Sequence, residues 1–205
     1  DATHMASAMG GGVASFFCIS LFMGIITYAN AIVAQYYGAG ELEKCPRVVS
    51  QGLIIAAACT PALLLIGLYG NRAFQLLGHE PAQVALESLY FQILMTVSFF
   101  SLVKACFASY FAGLGRTRVI MVADVLSVIL NIPLSWILIF GKFGLPQLGI
   151  AGAALGTVIA SLFGLCLYLG FYFSAAHKRQ FQVAKSFHFD RGIMRRYLRL
   201  GVPAG

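Results

Sequence analysis

The sequence predicts an all-α fold, a polytopic transmembrane helical bundle, and three observations carry that prediction. Of 205 residues, 60% are hydrophobic and 10% charged, against roughly 45–50% apolar and about 25% charged in soluble domains. Apolar residues gather into five runs, each long enough to cross a bilayer at about 20 residues per helix. The 22 glycines and six prolines suit helices packed in lipid, where small residues let backbones approach and neighbours satisfy the groups a breaker frees. The mean hydropathy of +0.84 agrees. A transmembrane barrel would instead need alternating segments of about ten residues, and the sequence has none.

The five runs cover residues 9–37, 49–69, 85–112, 120–140 and 148–176, and a further helix opens at the closing "YLRLGVPAG". The expected organisation is five membrane helices within 1–176, a basic connector over 177–198, and the start of another helix over 199–205. Eleven of the 14 lysines and arginines fall in alternate connections: Lys44 and Arg47, then Arg116 and Arg118, then seven after residue 176. The opposite connections carry only Arg72 and Lys142, and Lys104 lies inside a run. By the positive-inside rule the basic loops are cytoplasmic. The net charge of +7 therefore reports topology and contact with anionic lipid in the bilayer, and no nucleic-acid partner is expected. Glu80 and Glu87, near the other end, are expected to be solvated. The start "DATHMASAMGGG" lacks a basic signal-peptide region, and an odd number of spans with an external start predicts another helix upstream of a fragment. The connector is basic and partly amphipathic, the composition of a segment lying on the membrane surface between two halves. A short echo, "AQYYGAG" at 34–40 and "ASYFAGLG" at 108–115, ends two runs on the basic side with aromatics and paired glycines.

Polar residues inside the apolar runs carry the functional signal. The run "LSVILNIPLSWILIFG" holds Asn131 and Pro133 near its centre. An unpaired amide in hydrocarbon costs several kcal/mol, and an interior proline forfeits a backbone hydrogen bond. Residues seven apart on a helix differ by about 20° in azimuth, so Asp124 and Asn131 share a face, with Ser127 and Ser135 close to it. Thr157, in the small-residue run "GIAGAALGTVIA", supplies a hydroxyl from the next helix. Together Asp124, Ser127, Asn131, Ser135 and Thr157 predict one hydrated pocket, and carboxylates inside membranes mark ion or proton paths. Taken singly, each has a plainer reading. Asn131 and Thr157 suit interhelical hydrogen bonds, Ser127 and Ser135 suit bonds back to the i−4 carbonyl, and Asp124 suits a salt bridge near the interface. Lys104 is too deep to snorkel fully, so it either faces the cavity or pairs with a carboxylate. Pro133 either kinks a helix around a neighbour or supplies a bend that changes as a cavity opens to alternate sides.

Enzymatic chemistry finds no purchase. His4, His79, His177 and His188 lack HExxH spacing, and neither a GxSxG elbow nor a GxxxxGK[ST] phosphate loop occurs. Cys18, Cys45, Cys59, Cys106 and Cys166 stand singly, so they read as small hydrophobes, with no disulfide framework or metal site. No cofactor is expected.

The stretches "AQYYGAGELEKCPRVVSQG", "FAGLGRTRVIMVADVLSVILNIPLSWILIFGKFGLPQLGIAGAALGTVIA" and "LRLGVPAG", in this order and spacing, resemble the multidrug and toxic compound extrusion (MATE) transporters. The resemblance implies a two-lobe, twelve-helix transporter of the bacterial inner membrane, exchanging Na⁺ or H⁺ for a small molecule, an organic cation or other amphipathic compound. This chain would then supply helices two to six of a partial six-helix amino-terminal lobe, the inter-lobe linker and the opening of helix seven, with the carboxy-terminal lobe as its partner. Some members carry an Asn and an Asp four residues apart on the fifth helix and a Thr on the sixth as a cation site. Here the matching positions are Asn131, Ser135 and Thr157, so the Asp is replaced by an uncharged hydroxyl and Na⁺ would rest on Asn131 and Thr157. The family's acids on helices one and seven would fall outside this sequence. Two other readings stand beside the antiporter: a flippase for lipid-linked precursors in the same superfamily, and a nontransporting scaffold whose polar stripe only joins helices.

Overall fold

The structure is a computed structural model that describes residues 2–76 and 79–201. Helices α1 (Ala2–Thr27) and α2 (Ala29–Gly38) meet at Tyr28, and α3 spans Cys45–Leu76. Helices α4 (Pro81–Thr96) and α5 (Ser98–Gly113) meet at Val97 with a bend of 52°. They are followed by α6 (Thr117–Phe140), α7 (Gly149–Tyr172), α8 (Ala175–Phe181), a 3₁₀ turn (Val183–Lys185) and α9 (Arg191–Gly201). Four stretches are long and apolar enough to cross a membrane, Ala6–Gly38, Cys45–Gly70, Thr117–Phe140 and Gly149–Tyr172, and the bent pair α4–α5 makes a fifth if it forms one span. No strand occurs among the described residues.

The repeated glycine motif builds the same turn twice at the basic end. After α2, Glu41 N donates to Tyr36 O at 2.9 Å and Gly40 takes φ +77°. After α5, Arg116 N donates to Phe111 O at 2.9 Å and Gly115 takes φ +68°. Both are helix ends closed through a left-handed glycine, a conformation costly for other L-residues.

Pro133 leaves α6 continuous from Thr117 to Phe140, while the sharp bend lies at Val97, where neither proline nor glycine stands. Helix α6 ends on Gly141 at φ +63°, with Lys142 N donating to Ile137 O at 3.1 Å. The chain then turns back so closely that a Cβ on Gly141 would lie 2.6 Å from Gln147 N. Helix α7 returns along α6 with glycines at the contact. A Cβ on Gly152 would lie 2.6 Å from Leu138 C and O, and one on Gly156 would overlap Ser135 Oγ. Helix α7 can lie this close because its glycines leave backbone facing backbone.

At the end opposite the basic loops, Glu87 departs from expectation. It is fully buried, because Gly10 and Gly11 of α1 leave room for α4: a Cβ on Gly10 would sit 2.5 Å from Glu87 Oε1. Its carboxylate accepts from His79 Nδ1 and Gln83 Nε2, each at 2.9 Å. Glu80 is exposed.

The connector after α7 folds back on the bundle. Arg116 donates to His177 Nδ1 at 2.9 Å, and arginine has no acceptor. The proton of the neutral ring is therefore on Nε2, which donates to the Tyr110 hydroxyl at 2.9 Å. The ring is buried against Phe181, with centroids 4.5 Å apart. Burial, reinforced by the adjacent Arg116 charge, lowers the His177 pKa to about 4. Further along, Ser50 Oγ donates to Ser186 O and Gln51 Nε2 to His188 O, both at 2.9 Å. Helix α9 starts at Arg191, eight residues before the expected position, because Asp190 Oδ1 accepts from the Gly192 and Ile193 amides at 2.9 and 3.1 Å, a side-chain cap. Tyr197 then donates to Ile26 O at 2.7 Å. Residues 202–205 of the expected helix start lie outside the described residues.

Two predictions follow from this packing. Gly152→Ala must push a methyl group into the α6 backbone and should lower thermal stability in detergent by an amount typical of overpacking, about 1–3 kcal/mol, whereas Gly170→Ala, with nothing within 4 Å, should be neutral or slightly stabilising; equal melting temperatures for the two would contradict the close α6–α7 contact. For His177, an undocked ring at the ordinary value of 6.5 binds a proton before the docked ring at about 4 does. Docking of α8 is therefore unaffected above pH 6.5 and weakens as pH falls from 6.5 towards 4. Hydrogen exchange of α8, corrected for intrinsic rates, should rise across that window, and constant protection would exclude the clamp.

Candidate functional site

Three helices line an open cavity of about 420 Å³ that begins two turns inside the basic end of α6 and reaches its middle. Lys104 enters it from α5, Asp124, Ser127, Val128 and Asn131 from α6, and Thr157, Ala160 and Ser161 from α7. A volume of this size suits a drug-sized molecule. The spacing of Asp124 and Asn131 puts both on the same wall, and Thr157 faces them from the next helix.

Electrostatics at the inner wall centre on Asp124. Its Oδ1 lies 3.0 Å from Lys104 Nζ, and its Oδ2 accepts from the Tyr168 hydroxyl at 3.2 Å. One carboxylate therefore ties α5, α6 and α7 together. The lysine reaches it through a slot beside Gly164, where a Cβ would lie 3.2 Å from Lys104 Cε and 3.3 Å from Nζ and would overlap Ser127 Oγ. Of the two plain readings of Lys104, cavity-facing and paired, the structure gives both at once.

The neutral polar groups divide into two kinds. Ser127 and Thr157 donate their protons to Ala123 O at 2.6 Å and Ala153 O at 3.1 Å, the i−4 back-bond expected of helix hydroxyls. They present only acceptor lone pairs to the cavity. Asn131 has no side-chain hydrogen bond among the described residues, so its amide is offered to the cavity whole. Ser135 was expected on this wall, and the structure places it elsewhere: its side chain packs against Gly156 in the α6–α7 contact and does not line the cavity. Ser161 takes a place there that the sequence reading did not assign, although it stands four residues after Thr157 and so on the same face. A second cavity of about 40 Å³ lies at the Val97 bend and shares Thr157 and Ser161 with the first. No group of three or more His, Cys, Asp or Glu side chains able to hold a metal occurs among the described residues. All five cysteines are free.

The MatE family profile matches residues 1–137. The multidrug resistance protein NorM of Vibrio cholerae serotype O1 is 30% identical over 183 residues, covering 88% of this chain and 40% of that protein. The probable multidrug resistance protein YoeA of Bacillus subtilis is 28% identical over 192 residues, covering 92% of this chain and 42% of that protein. This chain thus spans about two-fifths of the length of the curated relatives it matches. Among solved structures, the inward-facing conformation of a multidrug resistance MATE family transporter of the MOP superfamily superposes with a TM-score of 0.83 at 22% identity, over 98% of this chain and 46% of that one. The fold is that of roughly half such a molecule, and with most of its length matched by the profile, this membrane-embedded chain belongs to the MatE family.

Proposed function

We propose that this chain is the larger part of the amino-terminal lobe of a secondary antiporter that exports amphipathic small molecules in exchange for Na⁺ or H⁺, working with a carboxy-terminal lobe of the same protein. The observation that carries the reading is the cavity itself: an open space of about 420 Å³ between apolar helices, lined by one ion pair and by one amide with no side-chain hydrogen bond among the described residues. A scaffold would bury such groups against each other. The names of the relatives, which are multidrug resistance proteins, support drug transport over enzymatic activity or a lipid-precursor flippase. The basic loops would face the bacterial cytoplasm by the positive-inside rule.

Alternating access requires the ion to bind two states with different affinity. Asn131 and Thr157 offer neutral oxygens for Na⁺, while Asp124 is the carboxylate in reach for a proton. Two joints are available for motion, the established bend at Val97 and the hydrogen bond missing before Pro133. Domain movements of this kind pivot on a few residues that absorb backbone change.

Asn131→Ala in the complete gene product should lower gradient-driven efflux of a fluorescent lipophilic cation by several-fold at unchanged expression; wild-type efflux would remove Asn131 from the coupling site. Cavity and scaffold separate in a cysteine-free background. Ser161→Cys should react readily with an aqueous thiol reagent, while Ser135→Cys, packed at Gly156, should react at least ten times more slowly; two inert cysteines would favour the scaffold.

A further inference from the structure

Resting on the proposed transport reading, we propose that the break between α4 and α5 is a Na⁺ site, held by the hydroxyls of Ser101, Thr157 and Ser161 and by the freed carbonyl end of α4. The ladder of backbone hydrogen bonds is interrupted there. In a continuous helix the amides of Ser98 and Phe100 would take the carbonyls of Leu94 and Thr96, four residues back. Instead Phe100 N donates to Val97 O at 3.0 Å, and among the described residues no backbone hydrogen bond to Leu94 O or Thr96 O crosses the break. Carbonyls freed inside a membrane need a partner, and the negative end of a helix dipole favours a positive one.

A partner of the right size has a place. The cavity at the break, about 40 Å³, takes Leu94 and Val97 from the end of α4, Ser101 from α5, and Thr157 and Ser161 from α7. It has room for one or two occupants the size of a water, at roughly 30 Å³ each in the liquid. Its hydroxyls are available as acceptors. Thr157 spends its proton on Ala153 O at 3.1 Å. Ser101 and Ser161, which have no side-chain hydrogen bond among the described residues, can spend theirs in the same way on the carbonyls four residues back, as Ser127 does on Ala123 O. The amides at the start of α5 belong to Ser98 and Phe99, and neither residue lines the cavity. Among the described residues no charged side chain lines it: Lys104, one turn beyond Ser101, lines the larger cavity and is paired with Asp124 at 3.0 Å. Neutral oxygens suit a monovalent cation, since a divalent one is held through carboxylates, and the volume is far too small for a drug-sized organic cation. Unwound carbonyls and half-helix C-terminal ends are what secondary transporters use to hold Na⁺. Thr157 and Ser161 line both cavities, so the ion would sit one wall away from whatever fills the larger one and would tie α4, α5 and α7 together at the bend.

The test is binding of radiolabelled Na⁺ to the complete purified protein, competed with unlabelled Na⁺, K⁺ or choline. Ser101 is decisive because, of the two cavities, it lines only the one at the break, whereas Asn131 lines only the larger. Wild type should bind saturably, with Na⁺ displacing the label at least ten times more effectively than K⁺ or choline. Ser101→Ala should weaken binding tenfold or more, and Ser101→Cys, which keeps the volume but replaces the oxygen, should do the same; Ser135→Ala, at the Gly156 contact, should bind as wild type does. No saturable binding by wild type would overturn the site and leave the cavity to water. Wild-type affinity in both Ser101 variants would overturn it too, and a loss in Asn131→Ala would then place the ion in the larger cavity. Should one Ser101 variant fail to fold, the other decides. Flux in proteoliposomes separates the two readings: Ser101-dependent Na⁺ binding without gradient-driven efflux would sink the antiporter and leave the site standing, and Na⁺-driven efflux undiminished in Ser101→Ala would do the reverse.

Discussion

The structure depends on satisfying charge in a medium that cannot solvate it. Lys104 is the one charged residue of α5 and Asp124 the one acid of α6, and inside a membrane either one alone would be an unpaired charge. Their pairing at 3.0 Å fixes where α5 stands relative to α6, and the Tyr168 hydroxyl on the second oxygen fixes α7 to both. Beyond the short turn that joins α5 to α6, this carboxylate makes the one side-chain polar contact between them among the described residues. The cavity walls are therefore positioned by the same group that gives the cavity its polarity.

Glycine makes that arrangement possible. A side chain at Gly164 would crowd Lys104 and overlap Ser127 Oγ, and side chains at Gly152 and Gly156 would collide with α6. In lipid there is no hydrophobic drive to press helices together, so close approach must come from shape. The run "GIAGAALGTVIA" is thus a packing surface on one face and, through Thr157 and the Ser161 that follows the run, a polar wall on the other.

Much of this was legible in sequence because periodicity and composition are local. The five apolar runs, the shared face of Asp124 and Asn131, and the paired glycine motif each follow from residues close together in the chain. Asp190 stands three residues before Ile193, the spacing of a side-chain cap, yet the sequence there reads as a partly amphipathic connector with the next helix starting at residue 199. What sequence could not supply was pairing between distant segments. Glu87 looks solvated until Gly10 and Gly11, more than seventy residues earlier, are seen to make room for it. Ser135 looks like a pocket residue by azimuth, and only the crossing of α7 at Gly156 turns it into a packing contact. His177 has no motif at all, and its burial is created by Tyr110 and Arg116, more than sixty residues earlier, together with Phe181 on its own helix.

The connector and the cavity are mechanically joined through these distant contacts. Arg116 ends the turn between α5 and α6, holds His177 and donates to Gln180 Oε1 at 2.7 Å. Lys104 and Asp124 lie on those same two helices, about three and two turns from that turn respectively. Both contacts brace the same pair of helices, Arg116 at the turn that joins α5 to α6 and the Lys104–Asp124 pair deeper along them, so the angle between the two helices is held at two points along their length.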